Sequence, residues 1–218
     1  ADVNITTGPE DFRVLTTFAG GRQITDNGKL LVHYETAAHE PCVLNTMHLK
    51  NPITADSFKI HAPAGAKKVK ALVMDTLPYM PFTNRRDVEL PVVDGVVQCD
   101  VEQDVLYIAQ VERHGKNGNV GKAFMGGFHI RGGAMASSVG HDNHNIIVMG
   151  DSFEDMALAV NRCVELGGGQ LIVRNGKVAA EVAYPICGLL SDLPLDELAE
   201  KKKELNRVAH EMGTEIAI

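Results

Sequence analysis

The stretch Ala134-Met135-Ala136-Ser137-Ser138-Val139-Gly140-His141-Asp142-Asn143-His144-Asn145-Ile146-Ile147-Val148-Met149-Gly150 decides the fold. Two apolar runs, each of strand length, flank a polar segment, so the pattern predicts two buried strands joined by a loop. Directly after it, Asp151 or Ser152 can cap a helix from about Ser152 to Leu166. Glu154 and Asp155 there oppose the positive end of the dipole, and Gly167 is placed for the left-handed position that ends a helix. Phe153, Met156, Ala157, Val160, Cys163 and Val164 recur at helical spacing and define its inner face. A second helix is predicted from about Pro194 to Met212, with Pro194 near the first turn, Leu195, Leu198, Leu205, Val208, Ala209 and Met212 facing inward, and Gly213 beyond its end.

Everything upstream reads as sheet. Phe12 to Phe18, Lys29 to Tyr34, Lys67 to Met74, Asp87 to Val93 and Val105 to Val111 are short apolar or alternating runs separated by Gly, Pro, Asn and Asp. Asp94-Gly95 and Asn175-Gly176 sit between apolar or alternating segments, where two-residue hairpin turns need positive φ. Gly167-Gly168-Gly169 follows a helix rather than opening one, so it reads as a helix stop and strand entry, not as a phosphate cradle. Strands first and helices in the last third give an α+β fold with mixed, largely antiparallel sheets.

Composition limits function. Of 218 residues, 21 are Lys or Arg and 28 are Asp or Glu, a net charge of −7 that supplies no basic excess for a phosphate backbone. With aromatics at 5% and Trp absent, no base-stacking surface is indicated, so nucleic acid is not an expected partner. No apolar run approaches the roughly 18 residues of a membrane span, and the sequence shows no secretory leader. Ala1 is not Met, and Ala1 to Ile5 already reads as strand, as in a chain entered part-way. Cys42, Cys99, Cys163 and Cys187 form no C-x-x-C pair, and reduced thiols point to the cytoplasm.

The loop His141-Asp142-Asn143-His144-Asn145 concentrates two imidazoles, a carboxylate and two amides. Three chemistries compete for it. A metal site would join His141 and His144 with His129, His114 or Asp142. A hydrolytic triad would use Ser138, His141 and Asp142, but it lacks the G-x-S-x-G elbow, and adjacent His and Asp seldom orient one another. The plain alternative is an Asx-rich turn in which Asp142 and Asn145 bond the backbone. His33-Tyr34-Glu35 before Pro41-Cys42 imitates half of a zinc deaminase signature, but Asn45 stands where the second thiolate is needed, so that site is rejected.

The same stretch, Ala134 to Gly150, closely resembles the C-terminal region of bacterial and archaeal adenine deaminases, whose pattern reads roughly A-S-S-V-x-H-D-S-H-N-I-I-x-x-G. The resemblance continues through Asp155-Met156-Ala157-Leu158-Ala159-Val160-Asn161-Arg162, Gly167-Gly168-Gly169 and Pro185-Ile186-Cys187-Gly188-Leu189-Leu190-Ser191-Asp192, and Val111-Glu112-Arg113-His114-Gly115 resembles a further family segment. Gly140 and Asn143 replace the family's usual small residue and Ser, and Cys187 its usual Ala. Ala1 to Ile24 resembles the segment by which amidohydrolases complete a small β-sandwich. The family's H-x-H metal strand does not occur in these residues.

The resemblance implies two parts. Residues 1–28 would be the end of an amidohydrolase-type β-sandwich segment, and residues 29–218 an adenine deaminase C-terminal-like α+β domain. It implies deamination of adenine or a related purine base to hypoxanthine and ammonia, at a divalent metal (manganese, iron or zinc) held by an amidohydrolase barrel in cis or trans, with no metal expected in this chain itself. It further implies a cytoplasmic homo-oligomer. Ser138, His141, Asp142, His144 and Asn145 are the candidates to bind substrate, while the resemblance assigns no catalytic residue. The alternative is a non-catalytic small-molecule-binding or assembly module of the same fold.

Overall fold

A computed structural model of the chain describes residues 2–33, 38–77, 80 and 82–216. The chain divides into two compact units, Ala1–Ala38 and His39–Ile218. The first is an antiparallel meander of β1 (Val3–Thr6), β2 (Val14–Ala19), β3 (Arg22–Asp26) and β4 (Lys29–Leu30), paired in sequence order. Asn27 and Gly28, both at positive φ, turn β3 into β4, and Asp26 faces Lys29 across the hairpin. Gly28 therefore lies inside a hairpin, and the first unit runs on to Ala38. It is one sheet with no buried residue and no second sandwich layer among the described residues. Of the run expected from Lys29 to Tyr34, only Lys29–Leu30 is strand, and Tyr34 lies outside the described residues.

The second unit is built on one nine-stranded sheet. Its elements in chain order are β5 (Lys68–Thr76), β6 (Thr83–Val93), β7 (Val96–Val97), β8 (Leu106–Val111), β9 (Val120–Gly126), β10 (Gly133–Ser137), β11 (Ile146–Gly150), α1 (Phe153–Glu165), β12 (Gly169–Arg174), β13 (Lys177–Ala183) and α2 (Leu195–Glu211). The spatial order is β13-β12-β10-β11-β8-β9-β5-β6-β7. Every pairing is antiparallel except β5 with β9, which are parallel. The two hairpin dipeptides turn as their chemistry demands: Asp94-Gly95 between β6 and β7, Asn175-Gly176 between β12 and β13, all four residues at positive φ.

Period-two alternation sorts the side chains onto two faces. Ala134, Ala136, Ile146, Val148, Leu171 and Val173 point to α1, which contributes Met156, Ala157, Val160 and Cys163 to the main core. Met149, Ile172, Ala180 and Val182 point the other way and meet Leu205, Val208 and Ala209 of α2. Both helices match their predicted bounds to within a residue. The Ser152 hydroxyl caps α1 by accepting from the Asp155 amide at 3.2 Å, and the buried Asp155 carboxylate accepts from the Gly176 amide at 2.8 Å, tying the helix start to the β12–β13 turn. The predicted strand, loop and strand are β10 and β11, paired from Ala134 with Gly150 to Ser137 with Ile147. The polar segment is the loop of that hairpin.

Candidate functional site

The hairpin loop divides into an anchored base, an exposed tip and a pinned return leg. Ser138 forms the base and is fully buried. Its hydroxyl donates to the Gly188 carbonyl at 2.6 Å and accepts from the Gly169 amide at 2.8 Å, while its own amide donates to the Gly169 carbonyl at 2.9 Å. The oligoglycine segment makes this closeness possible. Gly168, at φ +116°, lies so near Gly188 that a Cβ on it would fall 2.4 Å from the Gly188 Cα.

His141 and Asp142 are the tip, with side chains 97% and 86% exposed and His141 Nδ1 lying 2.9 Å from Asp142 Oδ1. Asp142 sits at φ +73°, a conformation Asp tolerates better than most residues. On the return leg the His144 amide donates to the Gly140 carbonyl at 2.7 Å, and the Asn145 amide donates to Asn143 Oδ1 at 3.0 Å. His114 Nε2 lies 3.0 Å from the Asn143 carbonyl, and Gln110 Nε2 donates to Asn143 Oδ1 at 3.2 Å. His144 Nδ1 is buried with no hydrogen-bond partner among the described residues.

The group that holds this leg is Arg113, two residues past β8 and only 2% exposed. Its Nε donates to the His144 carbonyl, Nη1 to the Thr46 carbonyl at 3.1 Å, and Nη2 to the Cys187 carbonyl at 3.0 Å. Further contacts run to Thr46 Oγ1 and Met47 Sδ. The guanidinium thus clamps three segments distant in sequence, and burial pushes its pKa down from the usual arginine value. Glu112 ties the opposite side of the same strand end. Burial works to raise its pKa, but amide donors from His114, Lys116, Asn117 and Gly118 together hold it below the usual carboxylate range.

The five residues singled out by sequence therefore have different positions. Ser138 is a structural anchor, and giving its proton to Gly188 leaves no Ser138, His141, Asp142 relay. His144 and Asn145 are built into the loop, and only His141 and Asp142 face solvent. His129 is 3.3 Å from Asp104 and His114 is at Asn143, so neither joins His141 and His144. Among the described residues no three His, Cys, Asp or Glu side chains converge as metal ligands. Glu35, of the rejected zinc signature, lies outside the described residues. The sequence places Glu112 and Arg113 in a segment resembling the family, as two adjacent charges ending an apolar strand, but gives neither a role.

The chain is similar in sequence to known proteins. The adenine deaminase C-terminal domain family matches residues 81–217. A protein named adenine deaminase from Moorella thermoacetica is 42% identical over 193 residues, which are 88% of this chain and 32% of that protein. Its namesake from Clostridium botulinum (strain ATCC 19397 / Type A) is 40% identical over 216 residues, 99% of this chain and 36% of that protein. One from Ruegeria pomeroyi is 40% identical over 207 residues, 94% and 34% respectively. The chain spans about a third of the length of these relatives. With the match extending from β6 through the loop, both helices and the Gly188 turn, the chain belongs to the adenine deaminase C-terminal domain family.

Proposed function

We propose that this chain is the part of an adenine deaminase that closes the substrate site, presenting His141 and Asp142 to the purine edge while water replaces the amino group of adenine to give hypoxanthine and ammonia. The relatives bearing that name support the substrate. The observation that carries the role is the exposed His141 and Asp142 pair at the tip of a loop whose base and return leg are fixed by Ser138 and Arg113. A rigid stem with a free polar tip is the arrangement that binds a ligand brought from outside the domain. An imidazole and a carboxylate together offer a donor and an acceptor to the amidine edge of a purine.

In this reading the manganese, iron or zinc would be held by an amidohydrolase barrel supplied in cis or trans. The four cysteines are free, in keeping with a reducing cytoplasm. No helix among the described residues is long and apolar enough to cross a membrane. A homo-oligomeric enzyme completes the reading.

The test is His141→Ala and Asp142→Asn in this chain joined to the preceding part of the Moorella thermoacetica relative. Each substitution should lower kcat/KM for adenine by about tenfold or more, the loss of one charge-assisted hydrogen bond, with the melting temperature unchanged. Unaltered kcat/KM in both variants would remove the loop from the substrate site.

A further inference from the structure

We infer that the open, methionine-rich face of the nine-stranded sheet is the surface on which the catalytic barrel docks; this rests on the reading that a barrel completes the site. In a sheet with one face packed on a helix layer, a face that meets water alternates to polar side chains. Here α1, with Met47, Ile53 and Phe58 from the segment before β5, packs on one face, while on the other α2 packs over β12 and β13 and reaches Met149 of β11. Beyond α2 the same face carries Met135 on β10, Ile147 on β11, Ile108 on β8, Met125 on β9 and Leu72 on β5, the last 49% exposed, with Gln110 opposite Ile147 and the ion pairs of Asp87 with Lys70 and Arg85 bounding the strip at β6. A cavity of about 320 Å³ opens there, bounded by Ile108, Met125, Phe128, Met135, Ile147 and Met149 among others, with no titratable side chain in its wall. A second, of about 200 Å³, shares Ile108 and Ile147 and reaches Met74, with Gln110 and Lys122 in its wall. A strip of neighbouring apolar side chains with a polar border marks a contact.

Two observations choose the occupant. The polar side chains in the first cavity are already engaged: Gln170 Oε1 accepts from Tyr184 Oη at 2.9 Å and from Lys202 Nζ at 2.5 Å, and Ser137 Oγ accepts from the Val139 amide at 3.1 Å. Nothing converges to orient a small polar ligand, so the face suits another apolar protein surface. Ser137 and Val139, at the cavity edge, are also the stem of the loop that ends in His141 and Asp142. Whatever seats on the face therefore lies beside the tip. The relatives carry about two thirds of their length outside the matched region, enough for a barrel, whereas a second copy on this face would stand where the substrate site must be.

Methionine oxidation by hydroxyl radicals tests this in the intact chain alone and fused to the preceding part of the Moorella thermoacetica relative. Met125 and Met135 should react in the chain alone and be slowed about tenfold in the fusion, measured against Met80, which is 47% exposed. Ile147→Glu should restore their reactivity, and in a two-chain version should weaken association about a hundredfold or more, because a carboxylate is buried unpaired. Equal rates in chain and fusion would overturn the inference. So would a dimer of the chain alone that Ile147→Glu dissolves, which would assign the face to a second copy. If Ile147→Glu does not fold, the wild-type footprint decides. Protected methionines with an inert His141→Ala would leave docking standing and sink the loop's role; unprotected methionines with an impaired His141→Ala would do the reverse.

Discussion

Arg113→Met removes the clamp while keeping most of the side-chain volume. The guanidinium is 2% exposed and has five acceptors, so much of its desolvation is already offset by hydrogen bonds. After the substitution the carbonyls of Thr46, His144 and Cys187 lose their side-chain donor in a closed space. At about 1–2 kcal/mol for each abandoned acceptor, and with some energy recovered by no longer burying an unpaired charge, the net loss is about 3 kcal/mol. For a protein of this length that lowers the melting temperature by roughly 6–12 °C. Arg113→Lys keeps the charge but not the planar fork and should fall between, at about 1–2 kcal/mol. Urea unfolding reports the stability, and hydrogen exchange at the His144 amide, which bonds Gly140, reports the loop. A melting temperature for Arg113→Met within about 2 °C of wild type, with His144 exchange unchanged, would refute the clamp.

Two further substitutions test the same frame. Gly168→Ala places a methyl 2.4 Å from the Gly188 Cα at φ +116° and should cost about 3 kcal/mol or more in urea unfolding; an unchanged midpoint would mean that the Gly168–Gly188 approach is not rigid. Glu112→Gln should cost about 1–2 kcal/mol at pH 7 by weakening four amide contacts to a charged oxygen acceptor. Because the folded pKa of Glu112 is depressed, the wild-type advantage is full above the unfolded value of about 4.3. It is lost as pH falls through the folded value, so a gap that widens toward pH 3 would contradict the assignment.

Local chemistry made much of this structure readable from sequence. The two helices carry their own caps, stops and apolar stripes, and Asp94-Gly95 and Asn175-Gly176 dictate their turns, so each signal lies within a few residues of its effect. The loop between β10 and β11 was visible for the same reason. The first unit was harder to delimit, because a two-residue strand such as Lys29–Leu30 leaves almost no pattern and is defined only by pairing with β3.

Roles within the loop were not readable. Ser138, His141 and His144 lie within seven consecutive positions, yet one is a buried anchor, one is in solvent, and one has a buried ring nitrogen and a carbonyl held by Arg113. By itself the sequence determined the α+β order, the helix bounds, the hairpin turns, the family and the place where polar groups gather, because local backbone preference and periodicity encode these. Only the tertiary structure decided which groups are free to act. Arg113 finds its acceptors 31, 67 and 74 positions away, and no local pattern records which distant carbonyls the packing of a nine-stranded sheet will bring to one guanidinium.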